Sequence, residues 1–325
     1  MVSWMERHQV AVYLGALAAG ALAGLIAPAA GPGLEHAINP VLAALLYVTF
    51  LQVPARDLVR GLKAGRFLAS ALVVNFLVVP VVVGAMFHFL PDDQAVRLGV
   101  LLVLLAPCVD YVIVFSGLAG GSGQKLLAAT PLLLLAQIVL LPAYLWMFLG
   151  SDLAKIIELG PFVRAFLVLI VIPLTLAWLT QALTARRPDL ITALSTSMVP
   201  LMAATLFVVV ASQIPKLDGR LTKVAAVIPF YVIFLIVMAF AGLAVVRVFR
   251  LDVPAGRAII FTGATRNSLV VLPLALALPD HLAIAAVVVV TQTLVEVIGM
   301  VAYVRVVPRL LNGDAQPADA PGGRP

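Results

Sequence analysis

Charge, cysteine and aromatic side chains are all scarce in this chain. Only 11% of its 325 residues are charged, against about 25% in an ordinary soluble domain. With 63% hydrophobic residues and a mean hydropathy of +1.14, it has too little polar surface for a soluble globular enzyme and reads as a polytopic membrane protein. The single cysteine, Cys108, excludes an intrachain disulfide and any multi-thiolate metal site built from one subunit. No Walker-type Gly-Lys-Ser/Thr loop, zinc-ligand spacing or nucleophile elbow is present, so the chain itself is not expected to hydrolyse ATP and calls for no cofactor. Gly120-Gly121-Ser122-Gly123-Gln124-Lys125 has the wrong spacing for a phosphate loop and reads as a hairpin between two spans. The pI near 9.8 does not indicate nucleic acid, because the positive charges lie in short loops between apolar runs, the pattern that orients a membrane protein.

What the sequence does have is apolar runs long enough to span a bilayer, about 17–25 residues each. Ten are predicted: 10–27, 37–53, 67–90, 95–119, 126–149, 161–184, 191–213, 224–246, 256–279 and 281–307. The first ends near Ala27-Pro28-Ala29-Ala30, which mimics a signal-peptide cleavage site; its apolar stretch is long and weakly cationic upstream, so it is read as a retained span. The tail 312–325 is rich in Gly, Pro, Ala and Asp and is predicted to be disordered. With the N-terminus inside, 14 Lys and Arg, among them Arg66, Lys125 and Arg257, face the cytoplasm. Six, Arg97, Lys155, Arg164, Lys216, Arg220 and Lys223, face the other side. Both termini are therefore predicted to be cytoplasmic. The loop 214–223 is basic on the wrong side of this scheme.

Ten spans divide into five plus five. An odd repeat length gives two inverted halves, about 1–150 and 151–311, in one membrane domain. Two spans carry helix-breaking polar clusters about ten residues in: Ala106-Pro107-Cys108-Val109-Asp110 and Thr265-Arg266-Asn267-Ser268. A lipid-exposed break would strand backbone groups at several kcal/mol each, so such breaks survive where they line a protein cavity. Matching breaks in two halves point to a transporter's binding site. Each broken span is followed by one with a polar face: Thr130 and Gln137 in the first half, Gln292 and Glu296 in the second.

Four residues carry the chemistry. Glu296 is a mid-span carboxylate, at about 2.5–3.5 kcal/mol on insertion scales, with Gln292, Gly299 and Tyr303 on its face. It reads either as a proton or cation coupling site or as a structural acid paired with a polar neighbour. Cys108 reads either as a small buried hydrophobe or as a thiol that captures a soft, thiophilic solute. Asp110 and Arg266 lie in opposite breaks and can pair if the breaks cross; alternatively Arg266 stays free to bind an anionic substrate. Asn267, Ser268, Thr265 and Ser116 are candidate liners of the site or local backbone caps.

The chain resembles the arsenite permeases of the arsenical-resistance type, within the bile acid/sodium symporter superfamily. The resemblance rests on Ala106-Pro107-Cys108 followed by Val112–Gly121, on Leu294-Val295-Glu296-Val297, and on the ten-span plan, and it covers about residues 10–311. It implies an all-α fold of ten transmembrane helices in two inverted repeats, with crossed broken helices 4 and 9 beside a panel of spans 1, 2, 6 and 7. It implies plasma-membrane efflux of arsenite, and possibly of antimonite, in exchange for protons. Cys108 maps to the family's essential cysteine, a candidate arsenic ligand, and Glu296 to its essential acid. Substrate contacts would fall to Cys108, Asn267, Ser268, Arg266 and Ser116, and coupling to Glu296, Gln292 and Asp110. The family's pair of asparagines in the ninth-span break is represented here by Asn267 alone, preceded by Arg266. The alternative is a sodium- or proton-coupled organic-anion symporter. A non-transporting membrane sensor, the third reading, has no need of paired breaks.

Overall fold

The computed structural model describes residues 8–51, 65–108, 111–150, 164, 167–184, 188–217 and 221–311. Among these the regular structure is helical, apart from one isolated bridge. Six helices are long and apolar enough to cross a membrane: Pro28–Leu51, Gly65–Phe87, Gly123–Leu149, Ala193–Gln213, Thr222–Val248 and Ile284–Leu310. Shorter apolar helices occupy Ala11–Ile26, Gln94–Leu104 and Ile172–Leu183. The chain is thus an all-helical, multi-pass membrane protein. The predicted tail at 312–325 and Asp110 lie outside the described residues.

Two groups of helices emerge from the contacts. In one, α1 (Gln9–Ile26) and α2 (Gly31–Leu51) pack on Met198–Gln213, and α2 also packs on Ile172–Leu183. The other holds the interrupted segments. Here α3 (Gln94–Leu104) packs on α8 (Ile284–Leu310), and α6 (Val253–Ala264) packs on α5 (Ile228–Val248). The remaining halves are α4 (Tyr111–Leu118) and α7 (Ser268–Leu276). Gly99 allows α3 to approach α8 closely: a Cβ there would lie 2.8 Å from the Ala285 carbonyl oxygen.

Both predicted broken spans are broken, for local reasons. α3 begins at Asp93, whose carboxylate accepts from the Ala95 and Val96 N–H groups at 3.1 and 3.2 Å. It stops at Leu104 because Pro107 has no N–H to offer the preceding turn and disfavours helical geometry at Ala106. α6 ends where Thr265 turns extended, at φ −83° and ψ 138°. Asn267 then caps α7 by accepting from the Val270 N–H at 3.2 Å. Residues 65–87 hold a third irregularity, a π turn over Val74–Val78. Pro80 cannot donate to the Phe76 carbonyl, and Tyr144 from the 123–149 helix donates to it instead.

The polar ends of these segments fall into two sets. Asp93, at the start of α3, pairs with Lys223 at 2.7 Å, and Arg97 pairs with Asp92 at 2.8 Å. Asp252, at the start of α6, pairs with Lys125 at 3.0 Å. Arg257 donates to the carbonyls of Ala119, at 3.0 Å, and Leu311. The Ala119 contact is fixed by Gly120, which turns the chain at φ +71° against the guanidinium. The two interrupted segments therefore start at different polar sets and run toward each other. The pairing also accounts for Lys223, part of the loop that is basic on the unexpected side: it answers Asp93.

Lys223 holds the Asp93 carboxyl below its ordinary value of 3.8, chiefly through the hydrogen bond. Stability from this contact is therefore complete above the ordinary value and is lost as pH falls through the depressed one. Asp93→Ala is expected to cost about 1 kcal/mol through loss of the helix cap, and Lys223→Met less, because the pair is partly exposed. Thermal unfolding of purified protein in detergent checks the order. Equal losses would show that the ion pair, not the cap, is the larger contribution.

Candidate functional site

The two breaks meet. Pro107 and Arg266 form an antiparallel bridge, in which the Cys108 N–H donates to the Thr265 carbonyl at 3.2 Å and the Asn267 N–H donates to the Ala106 carbonyl at 2.8 Å. The residues around it are buried: Cys108, Thr265, Arg266, Asn267, Ser268, Gln292 and Glu296 are all at most 2% exposed. In this conformation the crossing is closed to solvent.

Each backbone bond made across the crossing removes a bond that a continuous helix would have made. The Cys108 N–H would otherwise serve the Leu104 carbonyl, and the Asn267 N–H the Gly263 carbonyl. The Arg266 N–H, which would serve Thr262, instead donates to the Glu296 carboxylate at 2.9 Å. Three carbonyls are thereby orphaned, and the Arg266 guanidinium takes all three. Nη1 donates to Leu104 O at 3.2 Å, and Nη2 donates to Thr262 O and Gly263 O at 2.7 and 2.8 Å. Asn75 Oδ1 also lies 2.7 Å from Nη2, whose two hydrogens are shared among the three oxygens, and the guanidinium lies 5.7 Å from the Phe234 ring centroid. Asn75 sits in the π turn and is oriented by donating to the Ala71 carbonyl and to Thr262 Oγ1.

Glu296, from the middle of α8, accepts from three donors. These are the Arg266 N–H in one break, the Tyr111 hydroxyl just after the other, and the Gln292 amide one turn back. The carboxylate therefore ties both interrupted segments to α8. Tyr111 has a second acceptor in reach, the Arg266 carbonyl at 3.2 Å. Its one hydroxyl hydrogen can serve only one of them. With Glu296 ionised, Tyr111 donates to the carboxylate. With Glu296 protonated, the carboxyl can donate to Tyr111, and Tyr111 can turn its hydrogen to the Arg266 carbonyl. The same heavy-atom arrangement thus suits both protonation states.

The predicted site residues separate into three groups. Cys108, Thr265, Arg266, Asn267, Gln292 and Glu296 come together at the crossing. Ser268 lies beside them and accepts from Thr293 of α8 at 2.8 Å. Ser116 lies in the last turn of α4, with its carbonyl accepting from the Gly121 N–H, and caps the hairpin rather than facing the bridge. Tyr303, predicted on the Glu296 face, donates to the Leu235 carbonyl. Asp110 lies outside the described residues; among the described residues no carboxylate lies within 4 Å of the guanidinium. Three buried polar atoms at the crossing, Arg266 Nε, Asn267 Nδ2 and Gln292 Oε1, have no hydrogen-bond partner among the described residues. Sequence reasoning missed Asn75 and Tyr111. Asn75 carried a signal as the one amide in the apolar run 67–87; Tyr111 carried none.

No curated protein matches the chain. The model of the Sodium Bile acid symporter family matches residues 39–220, which include the first break and end before the second. Because that match covers more than half of the 325 residues, the chain belongs to the sodium bile acid symporter family and is a secondary membrane transporter, not an enzyme.

Proposed function

We propose that the protein extrudes trivalent arsenic from the cytoplasm in exchange for protons, with Cys108 as the arsenic ligand and Glu296 as the coupling group. The observation that carries this reading is the shared position of thiol and carboxyl. Cys108 belongs to the backbone bridge whose other strand is held by Glu296 through the Arg266 N–H. Capture is a ligand exchange at arsenic: As(OH)3 and the thiol form a sulfur–arsenic bond, and one hydroxyl leaves with the thiol proton as water. Arsenic stays trivalent, so no oxidant or reductant is needed. One thiol gives transient capture, which suits a carrier. Asn267 and Gln292, each with an unpartnered polar atom, are the proposed contacts to the remaining hydroxyls.

Protonation of Glu296 reverses its bond with Tyr111: the carboxyl then donates to the hydroxyl, and Tyr111 turns its hydrogen to the Arg266 carbonyl. That is the proposed link between proton entry and alternation, and Tyr111 is the residue that reports it to the Arg266 carbonyl. The wider architecture we propose is ten spans as two inverted repeats, 1–150 and 151–311, in one membrane domain. Its support is that α3 and α6 start at different polar sets and cross antiparallel. The set holding Lys125, Asp252 and Arg257 is the proposed cytoplasmic face, with both termini on that side, in the plasma membrane. A free Arg266 would favour the organic-anion alternative, and the guanidinium is engaged by three carbonyls and Asn75.

Everted vesicles with an imposed pH gradient and no sodium test the reading. Wild type should accumulate arsenite, and Cys108→Ser should lose this while unfolding at a temperature near that of wild type; retained uptake would remove the thiol from the mechanism. Glu296→Gln and Tyr111→Phe should flatten the dependence of uptake on pH, Glu296→Gln completely. A separate measurement concerns stability. Glu296→Ala strands three buried donors at about 1–3 kcal/mol each, whereas Glu296→Gln keeps an acceptor, so the alanine variant should unfold at the lower temperature. The reverse order would mean that the carboxyl does not hold the crossing.

A further inference from the structure

The arrangement around Arg266 is a cation site whose cation is part of the chain. Four oxygens converge on the guanidinium: the Leu104, Thr262 and Gly263 carbonyls and Asn75 Oδ1, at 2.7–3.2 Å. Three of them come from the final turns of two helices, α3 and α6, which end here. The C-terminus of a helix carries roughly half a negative charge, so two such ends facing one point favour a cation there. All four oxygens are contributed by neutral groups, and Arg266 is 0% exposed. In transporters with interrupted helices, unwound carbonyls and half-helix C-terminal ends are what hold coupling ions.

We propose that the Arg266 guanidinium is a tethered substitute for a free monovalent metal cation at this crossing. The chain carries its own positive charge into the place where a sodium-type ion would otherwise be bound and released, so the crossing is assembled without sodium. Two features distinguish this role from that of an ordinary buried arginine. Three of the acceptors are backbone carbonyls orphaned by the crossing itself, and among the described residues none is a carboxylate. The fourth oxygen is presented by Asn75 from a π turn, whose side chain is held in place by donating to Ala71 O and Thr262 Oγ1. The inference deepens the transporter reading by assigning the ion dependence of the same site, and it requires no particular solute.

The test is thermal unfolding of full-length protein in detergent, in sodium chloride and in choline chloride at equal ionic strength. Wild type should unfold at the same temperature in both. Arg266→Gln removes the charge and keeps hydrogen-bonding capacity; it should unfold roughly 5–10 °C lower in choline and regain most of the loss in sodium chloride. Arg266→Lys, which keeps a cation, should stay close to wild type in both salts. Arg266→Ala should behave as Arg266→Gln and should also respond to millimolar guanidinium. Equal unfolding temperatures for the Gln and Lys variants in choline chloride, a Gln variant that ignores sodium, or a wild type stabilised by sodium over choline would each overturn the proposal. If neither neutral variant yields folded protein in either salt while the Lys variant does, the requirement for a positive charge at the crossing stands on that contrast. If the Lys variant fails as well, the requirement is for the guanidinium's shape, and the proposal falls. These readouts involve no arsenite, so their failure and that of the efflux reading are separable.

Discussion

Three backbone amides at the crossing donate away from their own helices. Cys108 and Asn267 donate to the opposing segment, and Arg266 donates to Glu296. Each leaves a carbonyl without its usual donor, in an interior where an unpaired polar group costs about 1–3 kcal/mol. The guanidinium that meets those carbonyls and the carboxylate that receives the third amide are therefore what the crossing depends on. They are not a salt bridge in the ordinary sense. They are linked through one backbone unit: Glu296 diverts the Arg266 N–H, and the Arg266 side chain caps the Thr262 carbonyl that this diversion exposes.

This division of labour explains why an arginine and a glutamate can both be 0% exposed in a chain so poor in charge. A buried ion pair rarely repays the desolvation of two ions through its own attraction. Here each ion is hydrogen-bonded by neutral groups: carbonyls, an amide and a ring face for Arg266, and a hydroxyl, an amide side chain and a backbone N–H for Glu296. The surrounding helices serve the same end. Gly99 brings α3 against α8, which carries Glu296, and Pro80 is accompanied by a π turn that presents Asn75. The helix packing of α1, α2 and Met198–Gln213 forms a separate group, so the interrupted segments are concentrated in one part of the molecule.

Much of the plan was legible in the sequence. The scarcity of charge and the long apolar runs identified a multi-pass membrane protein. Pro107 and the Thr265–Ser268 cluster located both interruptions, because proline removes a donor and a polar run cannot face lipid. Glu296 and Gln292 were found for the same reason: polar residues in the middle of an apolar run have to be satisfied by protein. Reading failed where a residue's partner is distant in sequence. Tyr111 looks like any aromatic residue in an apolar span, and its bond to Glu296 spans 185 positions. Ser116 reads either as a liner of the site or as a local backbone cap, and its carbonyl caps the hairpin at the end of α4.

The sequence by itself determined that the chain is helical and membrane-spanning, where two of its spans break, and that Arg266 and Glu296 are buried. Hydrophobic run length and missing backbone donors are local properties that need no partner to be read. Only the tertiary structure decided what Arg266 does. The sequence left it either paired with Asp110 or free for an anion; among the described residues, the guanidinium binds the carbonyl ends of both broken helices. Those carbonyls are orphaned only when the two breaks pair with each other, so the acceptor set does not exist until the chain has crossed itself.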